Sequence, residues 1–163
     1  MKKAHKPAGR TEVARLKRQL DALFLRCEAL PEEEEITGDL NRYLCVRVSG
    51  FLEQALVVAG RSMCEGRAFG EGLRFAHSWL ERAPNPRADE IVRLVNRFDA
   101  KWGEELERIL SDEERYARVN ALLGIRNDIA HGKNQGVSRR QVWEYYKLAE
   151  EIVDWILDRF EPQ

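Results

Sequence analysis

The chain has 163 residues, of which 34% are charged and 44% are hydrophobic, and it contains only 5 prolines. This length suits one domain with a proper core, and the composition is typical of an ordered, mostly helical protein. The net charge of −1 excludes an overall basic field, so any surface that binds an anion has to be a local patch. Three cysteines, Cys27, Cys45 and Cys64, lack the spacing of a disulfide framework or a zinc site and are expected to be reduced.

The chain is predicted to be one domain in two parts, with an N-terminal helix and acidic linker over residues 1–35 and a helical bundle over residues 36–163. The basic N-terminus is followed by polar sequence, and no apolar run approaches the length of a membrane-spanning helix. A cytoplasmic location without a membrane partner is therefore expected.

Apolar residues at intervals of three and four predict the first two helices. The first starts with Thr11 as its N-cap and stops at Pro31, and the acidic run at 32–35 is interpreted as a solvated linker. The second helix is predicted over 39–64. Tyr43, Arg47 and Gln54 lie along one edge of its apolar face. They either line a polar groove or merely flank the core, with the Arg47 charge reaching solvent.

Capping signals predict where the later helices begin. After a short helix around 73–80, Asn85 serves as an N-cap and Pro86 as the first residue of the next helix, and a further short helix follows around 102–110. Ser111 and Ser138 each begin a capping box, in the forms S-x-x-E and S-x-x-Q. Since no strand-like alternation competes, the fold class is all-α, an antiparallel up-and-down helical bundle with additional short helices.

The strongest functional signal lies at the end of the penultimate helix, in the stretch Arg126-Asn127-Asp128-Ile129-Ala130-His131, which Gly132 follows. A helical projection places Arg126 inside the apolar stripe, where a permanent charge needs a partner or a use. Asn120, Asn127 and His131 fall together on the adjacent flank, so Asn127 is expected to orient the imidazole. The helix dipole and the carboxylate of Asp128 favour a protonated imidazole that exchanges protons near neutral pH.

Arg126 and His131 are five positions apart and point about 140° away from each other on an unbroken helix. Two arrangements would bring them to one phosphate. Either the helix frays at Gly132 and His131 swings round, or a second copy of the helix completes the site.

An imidazole that moves a proton and an arginine that neutralises a phosphate suffice for metal-independent RNA cleavage through attack by the ribose 2′-hydroxyl. Lys133, Arg139 and Arg140 surround the following turn and could hold the RNA backbone. Tyr43 and Arg47 of the second helix are further candidates for RNA binding. The plainer alternative is an ordinary helix end, with Arg126 paired to a carboxylate of a neighbouring helix. No nucleotide-binding loop, serine-hydrolase elbow or metal-ligand spacing is present, so no metal or cofactor is expected.

The stretch from Arg126 to His131 resembles the R-x4-H motif of HEPN-domain ribonucleases, including the polar residue after the arginine. The wider chain, from about residue 36 to residue 160, resembles the RiboL-PSP-HEPN family through the segment Leu40-Asn41-Arg42-Tyr43-Leu44-Cys45-Val46-Arg47-Val48-Ser49-Gly50-Phe51-Leu52-Glu53, through Asn85-Pro86 and through the motif itself.

The resemblance implies an all-α domain that dimerises so that two R-x4-H motifs face one cleft, and a metal-independent endoribonuclease, often a toxin or anti-phage effector. It implies that Arg126 and His131 are catalytic and that Asn127 supports them. Some HEPN toxins carry a tyrosine shortly after the motif histidine, which an antitoxin modifies. Gly132-Lys133-Asn134 stand there in this chain, so control by that route is not expected, although another antitoxin protein remains a candidate partner.

Two other functions compete with the enzyme. The first is a non-catalytic HEPN-like module that binds RNA or a protein through the same groove. The second is a purely structural bundle in which Arg126 forms a buried ion pair.

Overall fold

The computed structural model describes residues 8–30, 34–82 and 86–161. They form seven α-helices: α1 Ala8–Glu28, α2 Glu34–Glu65, α3 Gly70–Glu81, α4 Ala88–Phe98, α5 Ala100–Ser111, α6 Arg115–Ala130 and α7 Arg139–Phe160. A 3-10 turn, Asp112–Glu114, separates α5 from α6. No strand occurs within the described ranges, and the predicted all-α helical fold is confirmed.

The long helix α2 is the centre of the bundle and packs against α1, α3, α6 and α7. By length and composition alone Glu35–Glu65 could cross a membrane, so the expectation that no segment reaches that length is wrong. Within its most apolar window, however, 56% is buried inside the bundle. Leu44, Val48 and Ala55 on this helix are fully buried, as expected for a core helix whose apolar face is covered by its neighbours.

The two ends of the domain are joined by the carboxylate of Glu161, directly after α7. Its oxygens accept hydrogen bonds from the backbone N–H groups of Gly9 and Arg10, each at 3.1 Å. These groups belong to the first turn of α1, where no helical carbonyl is available to them. The Arg10 side chain returns the contact by donating to the carbonyl oxygens of Glu161 and Leu157. The end of α7 therefore caps the start of α1.

A buried carboxylate also joins α1 to α7 farther along. Glu150 is paired with Lys17 of α1 (2.6 Å) and with Lys147 of its own helix (2.8 Å). Burial opposes ionisation of Glu150, but the hydrogen bonds from Lys147 and Lys17 outweigh it, and its pKa is lowered. Next to this group the Tyr146 hydroxyl donates to Asp21 of α1 at 2.5 Å. The N-terminal helix is thus held by polar contacts as well as by its apolar face.

The predicted starts of the first two helices are wrong. Thr11 is not an N-cap, because α1 begins three residues earlier, at Ala8, under the Glu161 carboxylate. Helix α2 begins at Glu34, not near Asp39, so residues 34 and 35 of the acidic run are helical. Residues 32 and 33 of the run, and Pro31, lie outside the described residues.

Two of the three later capping predictions are also wrong. Helix α4 begins at Ala88 with Arg87 as its N-cap, so Pro86 precedes the helix, and Asn85 lies outside the described residues. Ser111 is the last residue of α5 and caps nothing, whereas Ser138 forms the predicted capping box with Gln141 in both directions.

A close approach between α4 and α5 depends on Gly103. Only Asp99 separates the two helices, and its carboxylate caps α5 by accepting from the backbone N–H groups of Lys101 and Trp102. A Cβ atom at position 103 would lie 2.6 Å from Asn96 Cβ and 2.9 Å from Asn96 Cα, closer than side chains tolerate. The glycine therefore sets how tightly this helical pair can pack.

We expect Gly103→Ala to lower the free energy of unfolding by about 1–3 kcal/mol, because the methyl group forces the two helices apart. Gly72→Ala is the matched control, since Gly72 is helical, exposed and has open space around its Cβ position. It should be neutral or stabilise by up to about 1 kcal/mol through the higher helix propensity of alanine. Denaturant unfolding of both variants measures the difference, and equal effects would contradict this account.

Candidate functional site

Helix α6 ends in an ordered turn directly after the motif. His131 is the C-cap residue, and Gly132 follows in the left-handed region with φ of +75°. The backbone N–H of Gly132 donates to the carbonyl of Ile129 (3.0 Å), and that of Lys133 donates to the carbonyl of Asp128 (2.9 Å). This pair of bonds is the Schellman motif. The helix does not fray at Gly132. The predicted arrangement in which His131 swings round to the Arg126 side is therefore not seen.

The side chain of Asp128 stabilises the same turn through hydrogen bonds with residues that follow it. Its two carboxylate oxygens accept from Lys133 Nζ at 2.8 Å and from Gln135 Nε2 at 2.6 Å. Hydrogen bonding from Lys133 is the largest cause that holds the pKa of Asp128 below its ordinary value, followed by an opposing effect of burial. Lys133, predicted to hold RNA, is therefore engaged in positioning the backbone that follows His131.

Arg126 is half-exposed, so the expectation of a charge buried in the apolar stripe is wrong. The buried stripe of α6 consists of Val119, Leu122 and Leu123, and it ends before the last turn. The guanidinium of Arg126 donates to Asn127 Oδ1 at 3.1 Å, in a solvent-exposed contact. Its partner is an amide, and not a carboxylate of another helix as the plainer alternative required.

The predicted polar strip on α6 is not formed as expected. Asn127 Oδ1 accepts a hydrogen bond from Arg126, and within the described residues no hydrogen bond joins the Asn127 side chain to the imidazole of His131. Asn120 faces elsewhere, and its Oδ1 accepts the backbone N–H of Ala88 at 3.0 Å at the start of α4. The His131 side chain is exposed and forms no hydrogen bond with any side chain in the described part of the chain. It is open to a ligand from solvent.

Two contacts that the sequence did not predict join the loop after His131 and the start of α7 to the first half of α2. Arg42 donates to Asn134 Oδ1 at 2.9 Å, and Arg139 donates to Asn41 Oδ1 at 2.7 Å. Arg139 thus lies next to the motif turn as predicted, but it is half-buried and structural. Asn41 and Arg42 lie within the segment that carries the family resemblance, which was the one available signal for them.

The remaining predicted residues lie on separate parts of the surface. Tyr43 and Arg47 form a pair on α2, in which the guanidinium donates to the phenolic oxygen at 2.9 Å. Gln54 lines an acidic groove with Glu12, Glu53 and Glu81, which is unfavourable for an anionic ligand. Arg140 is highly exposed, and within the described residues its one ion pair is with Glu144 on its own helix.

Comparison with protein families decides the identity of this domain. The family model of RiboL-PSP-HEPN matches residues 11–161. The chain belongs to the RiboL-PSP-HEPN family. No curated protein and no solved structure matches it.

The HEPN match extends the resemblance seen in the sequence, because it includes nearly all of α1. Membership indicates a nuclease-type, RNA-related module. Among the described residues no group of three or more His, Cys, Asp or Glu side chains is placed to hold a metal ion.

The hydrogen bonds from Lys133 and Gln135 to the Asp128 carboxylate, which we call the Asp128 clamp, predict how the stability of this HEPN domain depends on pH. The pKa of Asp128 is lower in the folded state than in the unfolded state. The ionised carboxylate therefore stabilises the fold at pH values above the unfolded-state pKa, and this contribution is lost as the pH falls toward the folded-state pKa. Asp128→Asn should therefore lose less stability than wild type between about pH 6 and about pH 3. Denaturant unfolding at a series of pH values measures this.

Glu144→Gln is the control for that experiment, since it removes a carboxylate from an exposed pair with Arg140 outside the turn. It should follow the wild-type pH profile. If Asp128→Asn follows that profile as well, the clamp does not contribute to the stability of the folded state.

Proposed function

We propose that this HEPN domain is a metal-independent endoribonuclease that acts through Arg126 and His131. The observation that carries the proposal is the ordered helix end, where both motif side chains reach solvent and a Schellman turn fixes the backbone of His131. Family membership supports the same chemistry. A purely structural role is less well supported, because Arg126 forms no buried ion pair within the described residues.

In the proposed reaction the ribose 2′-oxygen attacks the adjacent phosphorus. The 2′-oxygen-to-phosphorus bond forms and the bond from phosphorus to the 5′-oxygen breaks, leaving a 2′,3′-cyclic phosphate and a 5′-hydroxyl. The His131 imidazole takes the proton of the 2′-hydroxyl and delivers it to the departing 5′-oxygen. The Arg126 guanidinium stabilises the charge that develops on the phosphoryl oxygens. Asn127 holds the guanidinium before substrate binds, which is a different supporting role from the one expected of it.

The proposed site is completed by a second copy of the chain. On a helix that stays intact through His131, the two motif side chains point about 140° apart. A two-fold axis next to α6 would bring Arg126 of one protomer toward the partner's His131. The proposed partners are therefore RNA and a second copy of this chain, in a toxin or anti-phage setting in which an antitoxin protein restrains the activity.

The direct test uses the wild-type protein and a labelled single-stranded RNA in the presence of EDTA. Cleavage should proceed and leave a 2′,3′-cyclic phosphate, which mass spectrometry identifies. The same sequence with 2′-O-methyl groups should remain intact, because it lacks the attacking hydroxyl. Cleavage of the methylated strand, or cleavage only with added metal, would contradict the mechanism.

A further inference from the structure

A cavity of about 280 Å³ lies between α3 and α4, away from the motif turn. Its wall consists of apolar side chains, three arginines and one glutamate: these are Trp79, Pro86, Leu94, Arg82, Arg93, Arg97 and Glu90. Its volume is close to the lower end of the range found for pockets that bind small ligands. The combination of an aromatic ring with several guanidinium groups restricts the chemistry of that ligand.

The side chains of Trp79 and Arg97 form a cation–π pair at this cavity. The guanidinium carbon of Arg97 lies 4.5 Å from the centroid of the Trp79 ring, within the range of a cation–π interaction. Both groups are planar, and each offers a flat face on which a nucleobase stacks. Because the pair is assembled in the free protein, little side-chain entropy is lost when a base binds.

The arginines at the rim carry more charge than the acidic groups near them neutralise. Arg93 is paired with Asp89 at 2.6 Å. Arg82 and Arg97 have no carboxylate within ion-pair distance in the described part of the chain. Glu90, the one acidic residue of the lining, accepts the backbone N–H of Arg87 at 2.9 Å. Two guanidinium groups are thus available for an anion, and phosphate is the anion whose geometry suits them.

We propose that this cavity binds a nucleoside phosphate, with the base on the Trp79–Arg97 pair and the phosphate between Arg82 and Arg97. The unit is supplied either by a free nucleotide or by one residue of a single-stranded RNA, since both present the same base and phosphate. A peptide of Asp and Glu residues matches the charge but has no flat ring for the Trp79–Arg97 pair. The proposal is separate from RNA cleavage, because binding here uses no residue of the motif.

The test measures binding directly, with a fluorescein-labelled 2′-O-methyl RNA oligonucleotide that the proposed cleavage reaction cannot consume, and with AMP as the free nucleotide. Arg97→Gln and Trp79→Leu should each weaken binding about tenfold, through loss of stacking and charge. Arg74→Gln is the matched control, because Arg74 is exposed on α3 and does not line the cavity. The readout is binding without cleavage, so it stands even if the chain proves to have no ribonuclease activity.

An oligonucleotide of the same length without bases should bind about tenfold more weakly than the normal one, because it cannot stack. Competition by AMP identifies a free nucleotide as a ligand, and binding by the oligonucleotide alone identifies an RNA strand. Equal affinities for Arg97→Gln, Arg74→Gln and wild type would overturn the proposal. So would equal binding of the strand without bases, or tighter binding of a poly-glutamate peptide that depends on Arg97. Circular dichroism of Trp79→Leu checks its fold, and Arg97→Gln, which changes an exposed side chain, carries the result if that fold is lost.

Discussion

Replacing His131 by alanine should lower the rate of RNA cleavage in EDTA by about 100- to 10,000-fold, the usual contribution of a positioned acid–base group. Arg126→Ala should lower it by about 100-fold or more, because the developing phosphoryl charge loses its guanidinium. Neither change should unfold the protein, since both side chains reach solvent and lie outside the buried stripe of α6. Single-turnover kinetics with saturating enzyme measure the chemical step apart from binding.

Arg118→Ala is the control for this pair of variants. Arg118 is exposed on the same helix, about two turns before Arg126. Its replacement by alanine removes the same charge from the surface as Arg126→Ala does. Its effect on the rate should be small. If His131→Ala keeps the wild-type rate, the imidazole is not the proton-transfer group and the proposed mechanism is wrong.

Mixing the inactive Arg126→Ala and His131→Ala proteins should restore about a quarter of the wild-type activity. Half of randomly exchanged dimers are heterodimers, and each contains one site with an intact Arg126 and an intact His131 from opposite protomers. The physical reason is the helix geometry, because the Schellman turn keeps His131 on its own side of α6. Activity is measured after subunit exchange, which native mass spectrometry follows.

The control is the double variant Arg126→Ala/His131→Ala taken through the same exchange procedure, which should stay inactive. If heterodimers form but the original mixture also stays inactive, each site is contained within one chain. In that case His131 would have to reach Arg126 by leaving the helix end on substrate binding, which the Asp128 clamp opposes.

The sequence predicted which segments of this chain are helical better than it predicted where each helix begins. Ser138 and Ser111 carry equivalent patterns, yet only Ser138 lies in extended backbone (ψ of 155°), where its side chain can cap a helix. Ser111 is still helical (ψ of −15°). Helix α5 extends to this residue because its last turn carries Leu110, which packs in the core. The chain then turns through Glu114 in the left-handed region. Tertiary packing decides between such sites, and the pattern alone does not contain it.

The same limit applies to the candidate site. Its sequence located the motif, the stop at Gly132 and the neighbouring Arg139. It did not locate the contact between Arg42 and Asn134, which are 92 positions apart and belong to no periodic pattern. It also placed Arg126 in the core, because a helical wheel treats the apolar stripe as equally buried along its length. In the structure the stripe is fully buried only as far as Leu123, and Ile125 and Ile129 are only partly buried.

The cap that Glu161 places on α1 also fixes when this protein can finish folding. The capped groups at Gly9 and the capping carboxylate are 152 positions apart, so the contact forms only after the last helix has left the ribosome. Until then α1 lacks the cap at its start and the Lys17 partner supplied by Glu150. Helix α1 also packs against α2, which follows it in the chain, so part of its apolar side is covered before α7 is made. Phe24 is different, because its ring packs against Trp143 and Tyr146 of α7 and gains these partners only when the last helix is present.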